Sequence, residues 1–308
     1  MKGKIIGAAC YFLLALLVPY VVTLAWTGSV EGKASRHEVT EQQKIWLDRG
    51  GVPKVMGLEE YLPGAVAAQM PAEYGLEALR AQAILARTYI LRNMGGEAEV
   101  AESALDLDWW DASQMKTTWG DQFQACYDLV NQAVESTRGM TARFDGTYID
   151  GLFCRASAGN TRDGDSRHPY LKAVASSQDV EMEGYLTVMT WPKEEFAARL
   201  NEANPSAAVS AANLTETLQI AARDESGYVT QLQAGSGSFT GEEAAAALGL
   251  PSACFLLEEY EGNMRGICKG QGHGYGLSQY GAKVMADRGL AAEEILSYYY
   301  QNIEIITE

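Results

Sequence analysis

The chain has 308 residues, 47% of them hydrophobic and 21% charged, with 31 Gly and 8 Pro. This is globular composition, and it excludes bulk disorder, collagen-like repeats and low-complexity filaments. With 24 Lys and Arg against 40 Asp and Glu the formal charge is −16, which argues against nucleic acid or another polyanion as the main ligand.

Ile5 to Trp26 runs for 22 residues without a charged side chain, behind Lys2 and Lys4. As a helix it spans roughly 33 Å, enough for a bilayer core. The run exceeds the apolar region of a cleaved signal peptide, and no A-x-A cleavage site follows it. Residues 1–26 therefore read as a transmembrane signal anchor, with lysines inside and a single-pass, extracytoplasmic C-terminal body. Residues 27–54 read as a polar stalk or linker, and residues 55–308 as the functional domain.

Leu58 to Met70 is apolar, Ala-rich and predicted helical, with Pro71 as its stop. Leu76 to Asn93 carries Leu79, Ala83, Ala86 and Ile90 on one helical face and ends at Gly95-Gly96. Gln122 to Thr137 is a further predicted helix. Thr141 to Phe153 alternates around Asp145-Gly146, which predicts a hairpin. Later come a helix over Glu194–Leu200, strands over Leu218–Ala222 and Tyr228–Leu232, and a capping box Thr240-Gly-Glu-Glu243 opening a helix through Leu248. A closing helix is expected over Glu293–Tyr300. Helices and strands mix without regular βαβ alternation, so the expected fold class is α+β.

Four of the five cysteines, Cys126, Cys154, Cys254 and Cys268, fall in the body, where an oxidising compartment permits disulfides. Two short strands around Gly262-Asn263, folded about Glu261, would set Cys254 opposite Cys268. That leaves a bridge and two buried free thiols as alternatives.

Three segments carry candidate chemistry. Gly270 to Ala282 has five glycines in thirteen residues together with His273, Ser278 and Gln279. Glycine frees the backbone for turns and for close approach of a ligand, while the spacing fits neither phosphate-loop fingerprint. Ser278 with His273 also admits a serine-hydrolase reading, though spacing alone says nothing of their geometry. The loop Phe153-Cys-Arg-Ala-Ser157-Ala-Gly159-Asn160-Thr161 offers hydroxyls and amides suited to a neutral polar ligand such as a sugar. Gln69 ends an apolar helix, a position where a carboxylic acid would be desolvated and its pKa raised.

These segments together resemble the stage II sporulation protein D family of peptidoglycan lytic transglycosylases, which is related to amidase-enhancer proteins. The matching text is Leu58-Glu-Glu-Tyr61-Leu-Pro-Gly64 through Gln69-Met70-Pro71, then Glu77-Ala-Leu-Arg-Ala-Gln82 and Ala86-Arg87-Thr88-Tyr89. Ser157, Gly159 and Thr161, then Pro169-Tyr170-Leu171, the glycine-rich segment and Tyr298-Tyr299-Tyr300 follow in order. The resemblance implies a membrane-anchored protein of spore engulfment that acts with the stage II sporulation proteins P and M. Its implied substrate is the glycan strand freed of stem peptides, cut between N-acetylmuramic acid and N-acetylglucosamine. It also implies Gln69 at the catalytic position, with His273, Ser278, Gln279, Ser157, Gly159 and Thr161 as substrate-binding residues. No cofactor is expected. The zinc site of some members is not carried over either, because Asp108 to Gln124 has no Cys or His.

One departure matters more than the matches. The family's catalytic acid is the Glu of a Glu-Met-Pro stop, and here that residue is Gln69. An amide donates a hydrogen bond but holds no proton for general acid work. Glu59, Glu60 and Glu73 are the nearest carboxylates in sequence. The alternative reading is a non-catalytic glycan-binding protein that recruits or enhances an amidase.

Overall fold

The computed structural model describes residues 43–49 and 52–308. The apolar run Ile5–Trp26 and the membrane span expected of it lie outside the described residues. Among the described residues, no helix is long and apolar enough to cross a membrane.

The fold is a mixed α+β arrangement of small sheets and helices. Across the boundary drawn at residue 54, β1 (Lys44–Arg49) and β2 (Val52–Gly57) pair antiparallel, with Ile45 opposite Met56. The chain then enters α1 (Leu58–Gln69), crosses a short turn and forms α2 (Leu76–Met94). Gly95 in the left-handed conformation ends α2 as the sequence predicts. The expected single apolar face understates this helix, however. Ala78, Ala81, Gln82, Ile84, Leu85 and Arg87 are also buried, because neighbours pack on several sides. Small alanine side chains permit that close approach.

Arg87 of α2 closes a two-pronged ion pair on Glu59 of α1, at 2.6 and 2.7 Å, and its remaining nitrogen donates to the Met140 carbonyl at 3.1 Å. Both side chains are more than nine-tenths buried, so this paired charge sets how α1 and α2 meet.

β3 (Glu99–Ala101) joins β1 in parallel. Next come α3 (Ala112–Trp119), which the sequence pattern did not show, and α4 (Phe123–Ser136), within one residue at each end of the predicted helix. Asp111 and Gln114 form a reciprocal capping box at the start of α3. The predicted hairpin is present as β4 (Met140–Phe144) and β5 (Thr147–Tyr148), with Asp145 and Gly146 both at positive φ. Phe153, expected to end that hairpin, instead opens β6 (Phe153–Cys154).

A second lobe is inserted next. It contains β7 (Leu186–Trp191), α5 (Lys193–Ala203), β8 (Leu218–Arg223), β9 (Val229–Ala234), β10 (Gly237–Phe239), α6 (Gly241–Leu248), β11 (Phe255–Tyr260) and β12 (Asn263–Lys269). Its strands form two antiparallel sheets, ordered β10-β9-β8 and β11-β12-β7. Phe196, Leu200, Leu232, Phe239, Leu248 and Phe255 belong to its own buried cluster. The chain then returns through β13 (Leu277–Ser278), which pairs with β6, to α7 (Gln279–Asp287), α8 (Ala292–Tyr299) and β14 (Glu304–Thr307). β14 completes the sheet with β4, and the returning segment shares the core of α1 and α2.

The β11–β12 hairpin differs from expectation by one residue. Its two-residue loop is Glu261-Gly262, both at positive φ, which places Phe255 rather than Cys254 opposite Cys268. A one-residue shift turns alternate side chains to opposite faces. Cys254 and Cys268 are both free thiols, as are Cys126 and Cys154.

Candidate functional site

Gln69 is the last residue of α1. Met70 leaves the helix in an extended conformation, and Pro71 prevents the helix from resuming. Three amides meet there. Gln82 Nε2 donates to Gln69 Oε1 at 2.7 Å, Gln279 Nε2 donates to the Gln69 carbonyl at 2.8 Å, and the same Gln279 nitrogen reaches Gln82 Oε1 at 3.2 Å. Gln82 and Gln279 are fully buried, whereas Gln69 is half-buried. With its oxygen taken by Gln82, Gln69 presents its NH₂ group as a donor.

Gln69 lines a groove of ≈ 580 Å³ together with Glu73, Trp110, Trp119, Cys126 and Arg155. Glu73 and Arg155 are exposed and the two indoles are half-buried. Burial pushes the Cys126 thiol up, so it stays protonated and is no ready nucleophile. An amide, a cation, a carboxylate and aromatic rings in one concavity suit a polar ligand with apolar faces.

The other predicted site residues lie deeper. Asp179, with no exposed surface, accepts from the Ser157 backbone N–H at 2.7 Å, from Ser157 Oγ at 2.6 Å and from Ser278 Oγ at 2.8 Å. Burial raises its carboxyl above the usual range, partly offset by these donors. Ser278 also caps α7 by accepting from Gly281 N–H. Gly159 N–H turns back to Ser157 Oγ at 3.3 Å. Thr161 Oγ1 accepts from Val174 N–H, and its carbonyl accepts from Ser226. Ser157, Thr161, Ser278 and Gln279 have almost no surface of their own. Gln279 backs the groove through its bond to the Gln69 carbonyl.

His273 points into the fold. Its Nδ1 accepts from Tyr275 N–H at 3.0 Å, and burial beside the Arg162 cation lowers its pKa. Arg162 reaches the His273 carbonyl at 3.2 Å, pairs with Asp224 and Glu242 of the second lobe, and lies over the Tyr228 and Tyr275 rings. Ser278 and His273 are thus committed to different partners, and the serine-hydrolase pair is not made. The glycines serve packing: Gly276, at φ +70, would set a Cβ 1.9 Å from the Leu152 carbonyl oxygen.

Sequence reasoning missed Asp179, Arg162 and the two tryptophans as parts of this region, and it gave Arg155, within the Phe153–Thr161 segment, no role of its own. Gln82 had a signal, being an amide within an otherwise apolar helical stretch. Asp179 had none, since a carboxylate in Ser-Ser-Gln-Asp reads as surface loop. Among the described residues, no three His, Cys, Asp or Glu side chains are grouped to hold a metal ion.

Comparison with known proteins bears on this geometry. A family model described as SpoIID, stage II sporulation protein, matches residues 49–144, the stretch holding Gln69 and Gln82. Stage II sporulation protein D of Bacillus amyloliquefaciens is 33% identical over 260 residues, 80% of this chain and 74% of that protein. The protein of the same description from Bacillus subtilis (strain 168) is 31% identical over 261 residues, with the same coverage. An amidase enhancer of Bacillus subtilis (strain 168) is more distant, 25% identical over 290 residues, 78% of this chain and 39% of that protein. With such identity over most of both chains, this chain belongs to the stage II sporulation protein D family.

Proposed function

We propose that this chain takes part in peptidoglycan remodelling during spore engulfment, holding peptide-free glycan strands in the Gln69 groove without cutting them. The relatives' names support sporulation, and the amidase enhancer among them supports a link to cell-wall hydrolysis. In this reading an N-terminal anchor places the body outside the membrane. An amidase strips the stem peptides, and the stage II sporulation proteins P and M are its partners.

The observation that carries the reading is Gln69 itself. A lytic transglycosylase needs one carboxyl group to protonate the leaving glycosidic oxygen and then to withdraw a proton from the 6-hydroxyl of the muramyl residue, closing a 1,6-anhydro ring. The Gln69 amide can do neither, but it can donate to a sugar oxygen or acetamido carbonyl at the groove floor.

Cleavage remains the second reading on one observation: Glu73 lines the same groove. The test incubates the full chain and its Gln69→Glu variant with amidase-treated peptidoglycan and looks by mass spectrometry for 1,6-anhydromuramyl products. Product from the variant alone supports a binding protein built on a transglycosylase site. Product from the natural chain that disappears in Glu73→Gln establishes cleavage instead.

A further inference from the structure

Beside the Gln69 groove lies a second one of ≈ 630 Å³, lined by Lys54, Glu60, Trp110, Asp111, Tyr127 and Asn131 among others. Trp110 lines both. From it a series of rings runs along α3 and α4. Trp110 meets Trp119 edge-on at 6.2 Å, Trp119 meets Phe123 at 6.3 Å, and Phe123 meets Tyr127 at 5.5 Å with planes only 30° apart. Trp119, Phe123 and Tyr127 are four residues apart in sequence, so a helical path aligns them.

These rings are not simply core. Among the described residues, the large buried cluster takes Cys126, Leu129, Val130, Ala133 and Val134 from α4, and it takes Trp119 and Trp109 from the neighbouring stretch. Trp110, Phe123 and Tyr127 stay outside it, and Tyr127 is 36% exposed. The adjacent indole shows the contrast. Trp109 stacks on Tyr61 and donates to the Tyr61 carbonyl at 2.8 Å, sealing the surface of Gly64, whereas Trp110 donates its backbone N–H to the Gly64 carbonyl and turns its ring to Trp119.

An aromatic ridge flanked by polar groups matches a sugar ring, whose C–H faces stack on π surfaces while its hydroxyls bond at the edges. The Gln69 groove carries Arg155 beside Glu73, and the second carries Lys54 and Arg138 among Glu59, Glu60, Asp111 and Glu135. A glycan strand freed of its stem peptides bears hydroxyls throughout and one carboxylate on each muramyl residue, so carboxylates that accept from hydroxyls, with a cation within each groove, suit that class of ligand.

We infer that the Trp110–Tyr127 ridge joins the two grooves into one extended cleft, with sugar-binding subsites beyond Gln69 on the Glu60 and Asn131 side. The chain then grips the middle of an anionic glycan strand and not merely its end. This inference rests on the reading of the Gln69 groove as glycan-binding.

The test measures, by calorimetry, binding of peptide-free glycan tetrasaccharides and octasaccharides to the full chain. The natural chain binds the octasaccharide about tenfold more tightly than the tetrasaccharide. Tyr127→Ala removes that gain and leaves tetrasaccharide affinity unchanged, while Tyr127→Phe, which keeps the stacking face, retains the gain. The exposed position of Tyr127 keeps the fold out of the comparison. Equal affinity for both lengths, or a full gain in Tyr127→Ala, overturns the extended cleft but spares the Gln69 groove. Failure of either oligosaccharide to bind the natural chain overturns both.

Discussion

Gln279, the first residue of α7, reaches back 210 positions in sequence and donates its side-chain Nε2 to the main-chain carbonyl of Gln69 at 2.8 Å. The glycine-rich segment therefore meets the end of α1 at Gln69 through a buried amide. His273 and the glycines around it pack the loop that brings Gln279 there.

The three-amide junction makes a first prediction. Gln82→Met keeps the volume of α2 but removes the donor to Gln69 Oε1 and the acceptor for Gln279. The loss leaves buried amide groups short of partners and costs about 1–3 kcal/mol in urea unfolding. Gln69 also loses its fixed orientation, so tetrasaccharide affinity falls by about tenfold. Unchanged affinity in a folded variant removes the junction from the site.

Asp179 makes a second. Replacing it by Ala strands a backbone N–H and two serine hydroxyls, costing at least about 3 kcal/mol, whereas Asn keeps an acceptor for Ser157 N–H and costs about 1 kcal/mol. The sign of the pH effect follows from burial, which raises the folded carboxyl above 3.8. Its contribution to stability is full below that value and is lost as pH rises through the raised one. Urea midpoints compared between the natural chain and Asp179→Asn therefore show the natural chain's relative advantage declining as pH climbs above 3.8.

His273 titrates in the opposite sense. Burial and Arg162 lower its pKa below 6.5, against the opposing pull of Glu242 and Asp150, so the folded state prefers the neutral ring that accepts from Tyr275 N–H. Its contribution is present above pH 6.5 and is lost as pH falls through the lowered folded value. Thermal unfolding of His273→Gln should show a shallower loss of stability on acidification below pH 6.5 than the natural chain. Parallel curves would remove His273 as the source.

Local signals in the chain were read well where they were strong. Leu58–Gln69 and Leu76–Met94 are long apolar-periodic runs with a Pro stop and a Gly cap, and Thr240–Glu243 is a reciprocal capping box. Asp145-Gly146 fixed its hairpin because both residues tolerate positive φ. The Asp111–Gln114 box of α3 was equally local and was overlooked, and α7 was hidden behind a glycine-dense start.

The sequence by itself determined the helix ends, the turn chemistry and the family's motif order, including the substitution that puts an amide at position 69. These depend on neighbours within a few residues, whose sterics and hydrogen bonds the chain spells out directly. Only the tertiary structure decided that β12 pairs with β7 to build a separate lobe, that Asp179 ties Ser157 to Ser278, and that Trp110 walls two grooves. Those relations join residues far apart in the chain, and their free energy comes from burial and pairing that exist only after the intervening segments have packed.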